Sequence, residues 1–212
     1  QDPDNDYPLF VDDASRTLTV NVMATHWDGF SWTTPTLVLS DINTREAPQF
    51  AYRDEEVVIA WSHDQDANPQ TITDTAIRVA AWLSPTTWTP PIYWDAPVSS
   101  AIYHNDSLTQ ASITPRVVFD ADGQATVVWV RATIGGQDQL WYATYNYPTW
   151  TDPHKANWSA DGIQGLKVLV TPDNNLIALW QARSASGMDL WYSIFDRAYS
   201  LWSTPRQLTD DD

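Results

Sequence analysis

The sequence contains no cysteine, only two lysines and only three glutamates among its 212 residues. Without cysteine the chain can form no disulfide framework, thiolate zinc site, iron–sulfur cluster or thiol nucleophile. No apolar run approaches the roughly 18–20 residues that are needed to span a bilayer. The 27 acidic residues outnumber the 11 Lys plus Arg and give a formal net charge of −16. This balance excludes nucleic acid as a partner, because binding to its phosphates depends on clustered Lys and Arg.

Residues that favour strands and turns make up much of the chain. Hydrophobic residues account for 43% of the sequence and 13 residues are tryptophan, which is too rich in core-forming side chains for a disordered protein. Thr, Val, Trp, Tyr and Asp are abundant, as in pleated strands joined by turns. The 14 prolines are spread along the chain and would interrupt most long helices. The composition therefore predicts an all-β fold.

A short motif, Trp-Thr/Ser-x-Pro, recurs at intervals of about 50–60 residues, which is the length of one propeller blade. Its four copies begin at Trp32, Trp88, Trp150 and Trp202. A strand-like run that ends in an aromatic residue precedes each copy. These runs are Val22–Trp27, Ile77–Trp82, Leu140–Tyr145 and Leu190–Phe195.

Each of the last three copies has a second run upstream, and this run contains a tryptophan. These runs are Val57–Trp61, Thr126–Trp129 and Leu176–Trp180. A polar turn that suits a tight hairpin comes before each of them, at 53–56, 120–123 and 172–175. The second run is almost continuously apolar, as expected of a strand that is covered on both faces.

The repeat predicts a β-propeller-type array of about four four-stranded antiparallel blades in a single domain, 1–212. The units are approximately 1–46, 47–112, 113–164 and 165–212. The first unit is one strand short, because only two candidate runs, Tyr7–Val11 and Thr17–Thr25, precede Trp32. Two architectures fit: a compact four-bladed ring, slightly favoured because an open end would expose a sheet edge, or part of a larger propeller. Residues 95–114 are predicted to be an insertion between units two and three.

The units resemble the sialidase-like (BNR-like) degenerate propeller repeats of bacterial secreted and cell-surface proteins. The segments that carry the resemblance are Ala125–Trp129, Leu140–Pro153 and Leu190–Pro205. The resemblance implies a propeller fold and raises sialidase-like hydrolysis or lectin-like sugar binding between blades as expectations. The sequence lacks the sialidase Asp-box pattern Ser-x-Asp-x-Gly-x-x-Trp, and the sialidase catalytic roles map onto none of its positions.

The tryptophans divide into repeated and irregular positions. Those of the second strands (Trp61, Trp129, Trp180) are predicted to be core, and the four that begin Trp-Thr/Ser-x-Pro are expected to wedge between blades. The irregular ones are Trp27, Trp94 and Trp158. An aromatic face near a polar loop can stack on the CH groups of a sugar ring. These three are therefore the candidate ligand-binding residues, with packing in a strand or loop as the alternative.

Other candidate sites are weaker. Asp120 and Asp122 flank a tight turn and could bind Ca²⁺, although the turn lacks a full ladder of oxygen ligands and a plain Asp-Gly hairpin is the favoured alternative. Calcium is the only cofactor that the sequence suggests. Asn105 and Asn157 begin N-x-Ser sequons that could be glycosylated during secretion. No residue is assigned a catalytic role, because 27 acidic residues offer too many pairs to choose from.

Three functions follow as hypotheses. The first is a non-catalytic binding or adhesion module, extracellular or at the cell surface, that recognises a glycan or protein. The second is a structural subunit whose incomplete first unit is completed by strand exchange with another copy. The third is a sialidase-like glycoside hydrolase, which requires two converging carboxylates. The acidic, cysteine-free composition and a start at Gln1 without a signal peptide are those expected of an exported protein in mature or trimmed form.

Overall fold

The computed structural model describes residues 19–27, 29–43, 47–54, 56–64, 75–84, 87–88, 92–94, 110–133, 136–146, 149–183 and 187–209. These residues form seventeen β-strands and no helix. Within these ranges, no helix is long and apolar enough to cross a membrane. The prediction of an all-β fold built from antiparallel four-stranded sheets is confirmed.

Four antiparallel sheets follow one another along the chain, and we call them blades 1 to 4. Blade 1 contains β1 (Thr19–Ala24) and β2 (Thr36–Asn43). Blade 2 contains β3 (Gln49–Arg53), β4 (Glu56–Asp64), β5 (Thr75–Ser84), β6 (Thr87–Trp88) and β7 (Ile92–Trp94). Blade 3 contains β8 (Gln110–Phe119), β9 (Ala125–Thr133), β10 (Asp138–Asn146), β11 (Thr149–Trp150) and β12 (His154–Ala160). Blade 4 contains β13 (Gln164–Val170), β14 (Leu176–Arg183), β15 (Met188–Asp196), β16 (Leu201–Trp202) and β17 (Arg206–Gln207).

In blades 2 to 4 the fourth strand is formed in two pieces. In blade 3, β11 pairs with one end of β10 and β12 pairs with its other end. The break falls at Trp-Thr-x-Pro, and proline has no N–H to donate to a ladder. The same division separates β6 from β7 and β16 from β17. The motif therefore marks the place where each outer strand bends.

The serine or threonine of this motif has the same role in three blades. In blade 3, the Thr151 amide donates to the Thr144 carbonyl at 2.9 Å, and the Thr144 amide donates to Thr151 Oγ1 at 3.0 Å. The same pair of bonds joins Thr33 to His26 in blade 1 and Ser203 to Ile194 in blade 4. The hydroxyl thus supplies the ladder acceptor that the bent strand would otherwise lose.

The core lies between successive blades. The second-strand tryptophans Trp61, Trp129 and Trp180 are buried, which confirms the prediction made for them. Each packs in the cluster that its blade shares with the preceding blade: Trp129 contacts residues of blade 2, and Trp180 contacts residues of blade 3. Strand β9 is buried along most of its length on both faces, as its apolar run predicts.

The prediction that all four motif tryptophans wedge between blades is only partly correct. Trp202 is buried in the cluster between blades 3 and 4, and Trp150 packs against the cluster between blades 2 and 3. The prediction is wrong for Trp32, because its side chain is 66% exposed in a blade where the structure describes two strands. The side chain of Trp88 lies outside the described residues.

The first unit contains the third- and fourth-strand positions of a blade. Strand β1 pairs with β2 as β5 pairs with β7, and Trp27 bridges to Trp32 as Tyr145 does to Trp150. The earlier candidate run Tyr7–Val11 lies outside the described residues. At the other end, β17 pairs with β15 in blade 4, so residues 206–207 complete their own blade.

One predicted boundary is wrong. Residues 110–114 belong to β8 and pair with β9, so they are not part of the insertion predicted at 95–114. Their pairing extends the first strand of blade 3 well beyond the apolar run that the sequence shows, because ladder bonds depend on the backbone and not on side-chain polarity. Residues 95–109 lie outside the described residues.

Candidate functional site

The hairpin turn of blade 3 joins three blades. Oδ1 of Asp120 accepts the backbone N–H groups of Asp122 at 2.9 Å and Gln124 at 2.8 Å, which closes the turn. Oδ2 of Asp120 lies 2.6 Å from Nη1 of Arg197 in blade 4. The carbonyl of Asp120 accepts a bond from Nη1 of Arg53 in blade 2 at 3.0 Å. A single buried aspartate therefore fixes the relative positions of its neighbours on both sides.

An open cleft of about 410 Å³ lies beside this junction, between blades 3 and 4. It is lined by Gln124, Tyr142, Thr144, Thr151, His154, Phe195, Arg197 and Ser200. The cleft is within the 300–1,000 Å³ range of small-ligand sites. Its described lining residues combine two aromatic rings with hydroxyl, amide, imidazole and guanidinium groups, and none of them is a carboxylate.

Tyr142 lines the cleft and contacts two of its other lining residues. Its ring packs at 4.9 Å from Phe195 and 5.7 Å from the imidazole of His154. Its phenol reaches the Ser200 carbonyl only at 3.5 Å, a long hydrogen bond that a better acceptor could replace. Burial raises the pKa of the Tyr142 phenol above its ordinary value, so the group stays a donor across the physiological range.

Arg197 brings charge to one wall of the cleft, but this charge is already paired. Its Nη1 lies 2.6 Å from Oδ2 of Asp120 and donates a hydrogen bond to the side-chain oxygen of Gln124 at 2.8 Å. Burial lowers the pKa of the Arg197 guanidinium, and the nearby Asp120 and Asp122 carboxylates oppose that shift. An arginine remains protonated in proteins, so the wall is a neutralised ion pair.

A second groove is lined by residues of blade 3. It has a volume of about 570 Å³ and is wide and shallow. The guanidinium of Arg131 lies 5.7 Å from the ring of Trp141 there, and Lys155 pairs with Trp141 across the strands. Tyr142 and His154 line both this groove and the cleft.

Neither Trp27 nor Trp158 is among the described residues that line the cleft. Trp27 is 48% exposed, and its ring is tilted against that of Trp32 at 5.7 Å. Trp158 is half-buried and stacks on Trp180, with ring centres 4.8 Å apart and planes at 13°. The backbone of Trp94 lies in β7, and its side chain is outside the described residues.

The remaining predicted site residues are spread over the molecule. The candidate calcium ligand Asp120 is engaged by Arg197 and two N–H groups, and Asp122 accepts a bond from the Asn174 amide at 2.7 Å. Among the described residues, no group of three or more His, Asp or Glu side chains could hold a metal ion. Asn157 is exposed on β12, and Asn105 lies outside the described residues.

Two other buried carboxylates have structural partners. Asp138 accepts the N–H groups of Thr133 and Ile163, each at 2.8 Å, and so ties the β9–β10 connection to the segment that leads into blade 4. Burial raises the pKa of Asp138 although these two bonds oppose the shift. Asp189 accepts the hydroxyl of Thr209 at 3.2 Å.

The sequence reasoning missed the cleft because its members lie far apart in the chain. Tyr142 is inside the quoted strand motif, His154 directly follows Pro153, and Arg197 follows the third strand of blade 4. A signal was present, since the residue after each motif proline begins the second piece of an outer strand. The packing of blade 4 on blade 3, which brings these side chains together, was not visible in the sequence.

No protein-family profile and no curated protein matches this sequence. Solved structures do match. A Hadza microbial sialidase has a TM-score of 0.56 at 14% identity, over 76% of this chain and 37% of its own. An endo-arabinase from Bacteroides thetaiotaomicron has a TM-score of 0.50 at 13% identity, over 85% of this chain and 69% of its own. A protein of unknown function from Dyadobacter fermentans has a TM-score of 0.53 at 16% identity, over 90% of this chain and 52% of its own.

The chain thus spans about a third of the length of the sialidase that it matches. At these identities the similarity shows the fold alone. Together with the four antiparallel sheets, it shows that the blades are arranged as in a β-propeller.

Proposed function

We propose that this chain is an extracellular, non-catalytic β-propeller module that binds a carbohydrate in the cleft between blades 3 and 4. The observation that carries the proposal is the cleft lining, where a phenol, an imidazole and hydroxyl groups surround aromatic rings. Sugars are recognised by this combination, because their CH faces pack on rings while their hydroxyls need both donors and acceptors.

The cleft favours a neutral sugar. Among its described lining residues, Arg197 carries the one full positive charge, and this charge is paired with Asp120. The cleft therefore offers no unpaired cation to a ligand carboxylate. The chain also carries a net charge of −16, which repels an anionic ligand at long range. A neutral ligand avoids this repulsion, and its affinity should change little with ionic strength.

Hydrolysis of a glycoside is the less favoured alternative. It requires two carboxyl groups about 5–10 Å apart on either side of the bond. The described residues of the cleft lining include none, and the buried Asp120 and Asp138 have both of their oxygens occupied by protein partners. The resemblance of the repeats to those of sialidase-like proteins also supports a sugar as the ligand.

A glycan array of neutral and acidic oligosaccharides tests the proposal. The wild-type protein is compared with Tyr142→Phe, which removes the phenol, and with His154→Ala, which removes an exposed imidazole at the cleft. His26→Ala, an exposed histidine in blade 1, is the matched control. We expect a neutral glycan to bind wild type and His26→Ala, and both cleft variants to bind it at least about 10-fold more weakly.

If both cleft variants bound the glycan as tightly as the wild-type protein, the binding site would lie elsewhere. Release of reducing sugar from an array hit by the wild-type protein would replace binding by hydrolysis as the function. An absence of any bound glycan would reject the carbohydrate ligand altogether.

A further inference from the structure

The second groove of blade 3, with a volume of about 570 Å³, is lined by basic residues, and we call it the basic groove. Arg131 and Lys155 carry full positive charges there, and His154 adds an imidazole. Gln139 contributes an amide, and none of the described lining residues is acidic. The whole chain has 27 acidic residues against 11 Lys plus Arg, so this lining has the opposite sign to the chain.

The strand register places four of the lining side chains on one face of blade 3. Gln139 lies opposite Arg131, and Trp141 lies opposite Lys155. Directly opposite residues project from the same face of a sheet, and Gln139 and Trp141 are two positions apart on β10, so all four project to one side. Trp141 belongs to the cluster that blade 3 shares with blade 2, which identifies that side. Both full charges of the groove are therefore carried by paired strands.

The two cations of the basic groove differ in their surroundings. The Arg131 guanidinium lies 5.7 Å from the centre of the Trp141 ring, and the residue is only 9% exposed. A ring face at this distance attracts a cation and helps to hold the guanidinium in place. Lys155 is exposed, and its ammonium forms no ion pair with the part of the chain that the structure describes. The groove thus combines a fixed charge with one that can turn toward a ligand.

The charged groups of this lining suit an anionic ligand. Lys and Arg side chains donate hydrogen bonds and accept none. An anionic oxygen satisfies such donors, and hydrogen bonds between ionised groups are about twice as strong as those between neutral groups. The net charge of −16 repels an anion at long range, but at physiological salt this repulsion is screened beyond about 8 Å. The contacts within the groove then decide whether an anion binds.

We propose that the basic groove binds the carboxylate of an acidic sugar, a uronate, at a second site beside the cleft. The assignment of a carboxylate rests on Arg131 and Lys155, which line the groove. The assignment of a sugar rests on the proposed function, because Tyr142 and His154 line both the groove and the cleft. A sugar chain in the cleft therefore has a site for an acidic residue directly beside it.

Isothermal titration with the intact chain tests the basic groove. The probes are trisaccharides of galacturonate, glucuronate and mannuronate, each compared with its methyl ester, which keeps the sugar ring and removes the charge. At least one acid is expected to bind the wild-type protein at least about 5-fold more tightly than its ester. Lys155→Gln should remove this preference for the acid. Lys155→Arg, which retains the positive charge, should keep most of it.

The matched control is Lys167→Gln, because Lys167 is the only other lysine of the chain and is exposed on β13 in blade 4. This variant has the same change in net charge and should keep the preference for the acid. Circular dichroism verifies that all three variants are folded. Equal losses of affinity in Lys155→Gln and Lys167→Gln would overturn the groove as the site. Equal binding of every acid and its ester would overturn it as well.

The outcomes separate the basic groove from the cleft. Lys155→Gln should bind a neutral glycan as the wild-type protein does, since Lys155 is not among the described residues that line the cleft. Binding of neutral glycans without binding of any uronate would overturn the groove site and leave the proposed function intact. Uronate binding that depends on Lys155, without any binding of a neutral glycan, would support the groove and reject the cleft. Binding of inorganic sulfate but of no uronate would overturn an acidic sugar as the ligand.

Discussion

Oδ2 of Asp120 in blade 3 lies 2.6 Å from Nη1 of Arg197 in blade 4, and the two side chains are 2% and 17% exposed. Asp120 was a candidate calcium ligand from the sequence, where it forms part of an Asp-Ala-Asp-Gly turn. In the folded protein the carboxylate of Asp120 is paired with a guanidinium and not with a metal ion. The pair also fixes one wall of the cleft, and so connects the stability of the blade junction with the shape of the proposed binding site.

Removal of one member of this pair should destabilise the protein strongly. Arg197→Met leaves a buried carboxylate without its partner, and such changes cost about 3–5 kcal/mol. Asp122→Asn is the matched control, because its exposed contact with Asn174 is worth less than about 1 kcal/mol. Urea unfolding measures both free energies. A loss for Arg197→Met no larger than that of Asp122→Asn would show that the pair does not hold the junction.

The repeated hydroxyl of the motif gives a second prediction. Thr151→Val keeps the shape of the side chain but leaves the Thr144 amide without its acceptor, which should cost about 1–2 kcal/mol. Thr151→Ser retains the hydroxyl and should stay within about 0.5 kcal/mol of wild type. Thermal unfolding of the two variants compares them directly. Equal stability of Thr151→Val and Thr151→Ser would mean that the hydroxyl only fills space.

His63 predicts a pH dependence of stability. The pKa of His63 in β4 is lowered from 6.5 to about 4. Burial is the larger cause, and the positive charge of Arg78 is the smaller one. Between these two values the unfolded chain binds a proton that the folded chain does not. The free energy of unfolding should therefore fall as the pH drops from 6.5 to 4, by at most about 3 kcal/mol.

The variant His63→Gln isolates this contribution. The free energy of unfolding of this variant should fall less than that of wild type as the pH drops from 6.5 to 4. The difference in free energy between the two proteins should therefore become smaller towards pH 4. Chemical denaturation at several pH values gives both curves. Parallel curves between pH 4 and 6.5 would contradict the assignment.

The sequence-predicted tryptophans are separable from the cleft by mutation. Trp158→Ala removes a ring that stacks on the buried Trp180, and we expect a loss of roughly 2–3 kcal/mol in stability. Trp27→Ala removes a ring that is half exposed, and it should cost less. Neither variant should change the affinity for a glycan bound between blades 3 and 4. A selective loss of glycan binding in either variant would restore that tryptophan as the ligand platform.

Much of the fold could be predicted because each blade carries its own local signals. The second-strand tryptophans, the hairpin turns and the proline breaks all follow from short segments. Asn174 and Gly123 adopt positive φ in their turns, as such residues readily do. The exposure of Trp32 could not be predicted, since it depends on which strands surround it. The sequence offered equivalent motifs in all four units, although their surroundings differ.

The site could not be predicted for a related reason. Tyr142, His154 and Arg197 meet only because two blades pack together, and no spacing in the sequence encodes that meeting. The irregular tryptophans stood out in the repeat, and yet Trp158 is engaged with the core and Trp27 with its neighbour Trp32. For these two tryptophans, an irregular position in the repeat reflects packing against neighbouring aromatic rings and is no evidence of a ligand-binding role.

Isothermal titration of the best neutral glycan into wild-type, Tyr142→Phe and His26→Ala proteins tests the central claim most directly. The proposed site predicts saturable binding to wild type with one ligand per chain, unchanged binding to His26→Ala and an affinity at least about 10-fold lower for Tyr142→Phe. The measured affinity should also be nearly independent of salt. Unchanged binding to Tyr142→Phe would contradict a carbohydrate site between blades 3 and 4.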